Sequence, residues 1–138
     1  MREFSTTIEI AAPTDRVWQV MRDVERWKEW TSTVTSVRLF GKPLRVGSRA
    51  LIKQPKFPPA MWRVTHLDEG REFTWVSGIP GVMHVTARHA VEPGPRGSRA
   101  TLSLRFRGGL GPWFGGKTAR INQEYIETEA RGLRARSE

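Results

Sequence analysis

Residues 3–30 read EFSTTIEIAAPTDRVWQVMRDVERWKEW, and the succession of patterns in this stretch decides the fold. Phe4, Thr6, Ile8 and Ile10 alternate with Glu3, Ser5, Thr7 and Glu9. Alternation with period two is a strand with one buried face. Ala11-Ala12-Pro13 breaks it. Pro13 fits a helix's first turn, where no intrahelical N–H bond is lost, and Asp15 complements the dipole there. Val17, Met21 and Val24 recur at i, i+4 and i+7, flanked by Trp18 and Val20, as in an amphipathic helix. Residues 23–30 read as a second short helix with Trp27 and Trp30 on one side.

From Thr31 the period returns to two. Strands are predicted over 34–39, 48–54, 60–68, 71–77, 82–92 and 98–107. The separators are Gly41-Lys42-Pro43, Pro58-Pro59, Glu69-Gly70, Gly78-Ile79-Pro80-Gly81 and Gly94-Pro95-Arg96-Gly97, all turn-forming clusters. Spacers this short join antiparallel neighbours into a meander. Residues 117–136 are helical again. Ile121, Tyr125, Ile126, Ala130 and Leu133 fall on one side; Lys117, Arg120, Gln123, Glu124, Glu127, Arg131 and Arg134 fall on the other. The fold class is therefore α+β: one strand, two short helices, six strands and one long helix. A seven-stranded antiparallel sheet needs its concave face covered, and only the last helix is long enough to do it.

A chain of 138 residues with 38% hydrophobic content forms one core, so residues 1–138 are expected to be a single domain. No apolar run approaches a membrane span. Met1-Arg2-Glu3 leads directly into the first strand, so no signal peptide is expected, and the absence of cysteine fits a reducing, cytoplasmic setting. That absence also excludes disulfides, thiol nucleophiles and cysteine-bound metals. His84 and His89 are five apart on one strand and point to opposite faces. No zinc site is expected, and no cofactor is implied.

The net charge of +9 has two readings: an arginine-rich solvated surface, or an anionic partner such as nucleic acid or a membrane. The cations are scattered with no basic run, which favours the first reading over nucleic acid. A stripe of charge on one face of the folded chain would favour the second. Gly111-Pro112-Trp113-Phe114-Gly115-Gly116-Lys117-Thr118 matches a P-loop string. The helix after it is the last predicted element, so no later strand supplies a magnesium-binding Asp, and Pro112 removes a donor N–H. Nucleotide hydrolysis is not expected.

Ile8-Glu9-Ile10-Ala11-Ala12-Pro13 running into Val17-Trp18, then Asp23 to Trp30, Phe73-Thr74-Trp75, Gly81, His89 to Pro93 and Glu127 to Leu133 carry a resemblance. On these residues the chain resembles the START-like, Bet v 1-type (SRPBCC) superfamily, and within it the bacterial polyketide cyclase/dehydrase-like proteins. The resemblance covers essentially the whole chain. It implies a helix-grip fold, with a seven-stranded sheet wrapped round the long helix and an apolar ligand between them. It also implies a binder of a lipid-like or aromatic, polyketide-like molecule, or alternatively a cyclase/dehydrase-type enzyme acting on one.

Trp62 shares a face with Val64, Phe73 with Trp75, and Leu102 and Leu104 with Phe106. These aromatics and Tyr125 are either ordinary core or the wall of a ligand space. Trp113 and Phe114, with the loops 54–59 and 78–81, are candidate mouth elements. His89 shares its parity with Val85, Ala87 and Val91, so it points inward. It is either a core histidine satisfied by backbone, or an acid/base or hydrogen-bonding group at the wall. Glu129 falls between Tyr125 and Leu133 on the apolar side of the helix, with Asn122 two turns earlier. It either bridges to an arginine at the rim or shares a pocket with His89. The sequence leaves the ligand and the oligomeric state open.

Overall fold

In the computed structural model the described residues are 2–108 and 116–138. Strand β1 (Arg2–Ile10) leads into helix α1 (Thr14–Arg22) and a 3-10 helix (Val24–Glu29). Strands β2 (Ser36–Phe40), β3 (Arg49–Gln54), β4 (Phe57–Asp68), β5 (Glu72–Ile79), β6 (Met83–Gly94) and β7 (Gly97–Gly108) follow, and helix α2 (Gly116–Ser137) ends the order. All seven strands form one antiparallel sheet in the order β1-β7-β6-β5-β4-β3-β2. The expected helix-grip arrangement is therefore present: a meander from β2 to β7, with β1 returning beside β7.

Parity sets the two faces of the sheet. Ile10, Ala50, Ile52, Val64, Phe73, Trp75, Val85, Ala87, Val91, Ala100 and Leu102 are buried on its inner side. Val17, Trp18, Val20 and Met21 of α1 are buried with them, which is the apolar stripe read from their spacing. Ser98 donates a 2.6 Å hydrogen bond to the Ala12 carbonyl and so pins the β1–α1 corner to β7.

The expected second short helix is present as the 3-10 helix Val24–Glu29, with the Trp30 N–H donating to the Trp27 carbonyl at 3.0 Å. One boundary differs from the sequence reading for a physical reason. Pro58 and Pro59 lie inside β4 and do not form a turn; Gln54 pairs with Phe57 across the two-residue turn Pro55-Lys56. The β3–β4 ladder shifts register between Ile52 and Gln54, and such an irregularity tolerates residues that cannot donate to it.

Helix α2 packs on β1, β7 and α1 through Asn122, Ile126, Ala130, Leu133 and Ser137, one buried residue per turn. A second row, Tyr125, Glu129, Gly132 and Arg136, flanks this stripe. The Tyr125 hydroxyl accepts the Lys56 N–H at 3.2 Å, and Arg136 donates to Glu29 at 2.5 Å. Gly132 lies so close to the Trp30 carbonyl that a Cβ there would overlap it. The flanking row thus reaches from the β3–β4 turn to the end of the 3-10 helix.

Candidate ligand site on the inner face

His89 sits in a cluster of rings. It stacks on Phe73 with centroids 4.4 Å apart and planes 11° from parallel. The Trp27 ring lies 5.2 Å from it and the Trp75 ring 5.6 Å. Strand register places Phe73 directly opposite His89, which explains the stack. Trp18 approaches Phe73 from α1 at 6.3 Å, and Trp62 approaches Trp75 from β4 at 6.0 Å. Phe73 has no exposed surface and Trp75 retains only 2%, so the two back the wall and do not line open space. Trp27 was not among the residues picked from the sequence. Its spacing from Trp30 marked an aromatic side of the short helix, but not which strand it would meet.

Burial holds the His89 imidazole neutral, with its pKa lowered to about 3 and the Phe73 backbone only partly offsetting the effect. His89 Nδ1 has no hydrogen-bond partner among the described residues, and neither has the buried Trp62 Nε1. A buried polar atom left unmatched by protein is uncommon, and these two are on adjoining parts of one apolar face.

Asn122 is buried on α2, and its side-chain amide has no hydrogen bond among the described residues. Glu129 lies two turns further along. It too has neither hydrogen bond nor ion pair among the described residues, and burial pushes its carboxyl up to about 7. Yet Glu129 keeps part of its accessible surface. Its direction follows from its row, between Tyr125 at the β3–β4 turn and Gly132 at Trp30. That row looks towards the β2–β4 side of the concave face.

Trp62, Leu104, Phe106 and Tyr125 keep accessible surface, as do Ile8, Leu39 and Leu67. Phe106 meets Phe4 edge-on at 5.9 Å, and Tyr125 meets Phe57 edge-on at 5.4 Å. Trp113 and Phe114 lie outside the described residues, as does most of the P-loop-like string. His89 and Glu129 project from opposite walls, and each titration is displaced by its own burial.

A separate surface groove of about 440 Å³ runs between α1, the 3-10 helix, the β2–β3 loop and the end of α2. Its cations are largely matched: Arg22 to Glu69 at 3.1 Å, Lys42 to Glu25 at 2.8 Å and Arg136 to Glu29. It is lined mainly by polar and charged side chains, unlike the inner face. Among the described residues no group of three metal-ligating side chains lies together.

A family model described as polyketide cyclase/dehydrase and lipid transport matches residues 1–138. A curated protein of Streptomyces halstedii, named "Putative polyketide cyclase", is 36% identical over 90 residues, which are 64% of this chain and 72% of that protein. Among solved structures, a hypothetical protein of Helicobacter pylori superposes with a TM-score of 0.85 at 13% identity, over 99% of this chain and 88% of that one. StfQ, the di-domain ARO/CYC protein of the steffimycin biosynthetic pathway, superposes with a TM-score of 0.77 at 11% identity, over 98% of this chain and 50% of that one. At these identities the two structures speak for the fold alone.

Proposed function

The chain belongs to the polyketide cyclase/dehydrase and lipid transport family, and on that premise we propose that it binds one apolar small molecule between the inner face of the sheet and α2. The observation that carries this reading is the set of polar groups on the inner face without a partner among the described residues: Trp62 Nε1, the Asn122 amide and the Glu129 carboxyl. A large apolar site with a few convergent polar groups is the usual form of a small-molecule pocket. The ligand chemistry that fits is aromatic or lipid-like, with one or two hydrogen-bonding oxygens. Trp62 donates, Asn122 donates and accepts, and neutral Glu129 donates through its carboxyl proton. Trp62, Phe106, Tyr125, Asn122 and Glu129 contact the ligand in this reading, while Phe73, Trp75 and His89 shape the wall behind it.

Titration with a neutral apolar fluorophore, N-phenyl-1-naphthylamine, tests the proposal. One saturable site per chain is expected, weakened about tenfold by Trp62→Ala, which corresponds to about 1.4 kcal/mol. Unsaturable binding, or binding indifferent to both Trp62→Ala and Glu129→Gln, overturns it.

One observation favours catalysis as a second reading. A carboxyl titrating at about 7 is matched to proton transfer near neutral pH, whereas an imidazole held at about 3 is not. Glu129 is thus the acid/base candidate for a cyclase- or dehydrase-type step, and His89 serves as a neutral hydrogen-bonding wall group. In this reading Glu129→Gln keeps the ligand affinity and abolishes turnover.

A further inference from the structure

The outer face of the sheet is divided into two electrostatic halves. On the β1, β7, β6 and β5 side, the cations other than Arg107 meet carboxylates across the strands. Arg105 pairs with Glu3 at 3.3 Å, Arg99 with Glu9 at 2.7 Å and Arg88 with Glu72 at 2.5 Å. On the β2, β3 and β4 side the outward row carries Arg38, Arg49, Lys53 and Arg63, and none of these makes an ion pair among the described residues. The sole carboxylate on these three strands is Asp68, at the far end of β4.

Register brings these cations together although they are spread over the sequence. Arg49 stands directly opposite Arg63, Phe40 opposite Arg49, Arg38 opposite Leu51 and Leu51 opposite Met61. Like charges directly opposite each other destabilise a sheet pair. Arg38 lies over the Phe40 ring, 5.1 Å from its centroid, and also feels Glu25, whose carboxylate is already bound to Lys42. Apolar side chains are interleaved: Phe40 is 41% exposed and Met61 46%, with Val46 at 59% in the adjoining β2–β3 loop.

We propose that this outer face of β2–β4 docks on an anionic lipid bilayer. The surface is an open strand face whose cations alternate with mainly aliphatic side chains. That pattern suits a layer of phosphates with an apolar stratum just beneath it. A duplex would be read by an element that enters a groove, and a single strand by exposed stacking rings. Here the exposed phenyl ring, Phe40, is covered by Arg38, and the exposed imidazole of His66 lies 3.5 Å from the Glu72 carboxylate. The proposal concerns the outer face and stands apart from the inner ligand site.

The test is co-sedimentation with vesicles of equal parts phosphatidylglycerol and phosphatidylcholine, and of phosphatidylcholine alone, at physiological ionic strength. Binding is expected only to the anionic vesicles. The double variant Arg49→Gln/Arg63→Gln should weaken it about thirtyfold, from about 1 kcal/mol for each cation at the surface. The charge-matched Arg88→Gln/Arg105→Gln should weaken it less than about threefold. Phe40→Ser should weaken it while leaving net charge unchanged. Equal losses in the two double variants would overturn the proposal, because net charge alone would then account for binding. So would the absence of vesicle binding, or tighter binding to duplex or single-stranded DNA than to vesicles at equal phosphate concentration. Retention of N-phenyl-1-naphthylamine binding by Arg49→Gln/Arg63→Gln separates loss of docking from loss of the inner site.

Discussion

His89 and Glu129 are displaced in directions that oppose each other in the stability of the protein. The folded pKa of His89 lies at about 3, below its ordinary 6.5. Between those values the unfolded chain binds a proton that the folded one refuses, so this contribution is lost as pH falls from 6.5 towards 3. The folded pKa of Glu129 lies at about 7, above its ordinary 4.5. Between those values the folded chain holds a proton that the unfolded one has released, so stability is lost as pH rises from 4.5 towards 7. From about 4.5 to 6.5 the two slopes cancel. Urea unfolding of the parent protein should show these two groups adding almost no pH dependence in that window. Glu129→Gln should leave a stability rising with pH over 3 to 6.5, and should be the more stable protein at pH 8 by about 2 kcal/mol, since one pH unit of displacement corresponds to about 1.4 kcal/mol and partial exposure trims the total. His89→Phe should leave a stability falling with pH over 4.5 to 7. Identical pH profiles for all three proteins would show that neither group is withdrawn from water.

Helix α2 carries a glycine in its interior, which on helix propensity alone disfavours it by about 1 kcal/mol relative to alanine. The contact decides the opposite sign. A Cβ at position 132 would overlap the Trp30 carbonyl, a backbone atom anchored by the 3-10 helix, and it cannot swing aside as a side chain would. Gly132→Ala is therefore expected to lower thermal stability by about 1–3 kcal/mol, as overpacking does. A Tm equal to or above the parent's would show that helix and turn can part. The same position shows what the sequence disclosed. The periodicity of 117–136 announced the helix and placed Glu129 on its apolar side, and strand parity turned His89 inward. Periodicity assigns a residue to a side of its own element; it does not say which other element that side meets. Trp27 against His89, and Trp30 against Gly132, are meetings of elements far apart in the chain, and so they emerged only from the fold. The Pro58-Pro59 pair misled for the converse reason: its local preference for a turn was overridden by pairing across β3 and β4.

Across the whole molecule the charge follows the same logic. Arg38, Arg49, Lys53 and Arg63 are dispersed along the sequence and form no basic run. Two strand turns fold them onto one face, because residues of equal parity on adjacent strands come within about 5 Å of each other. The net charge of +9 is therefore not spread evenly; the β5, β6, β7 and β1 half of the outer face, Arg107 apart, neutralises itself and the β2–β4 half does not. Function and stability pull against each other at such a face, and salt separates them. Arg63→Glu sets a carboxylate opposite Arg49 and should raise stability at low ionic strength by about 0.5–1 kcal/mol, the range of a favourable cross-strand pair. The gap between variant and parent should close towards molar salt, where the screening length shrinks to about 3 Å. Vesicle binding by the same variant should fall even though the protein is more stable. A gap that persists in molar salt would mean that packing, not charge, sets the difference, and the repulsion read from the Arg49–Arg63 pair would have no energetic weight.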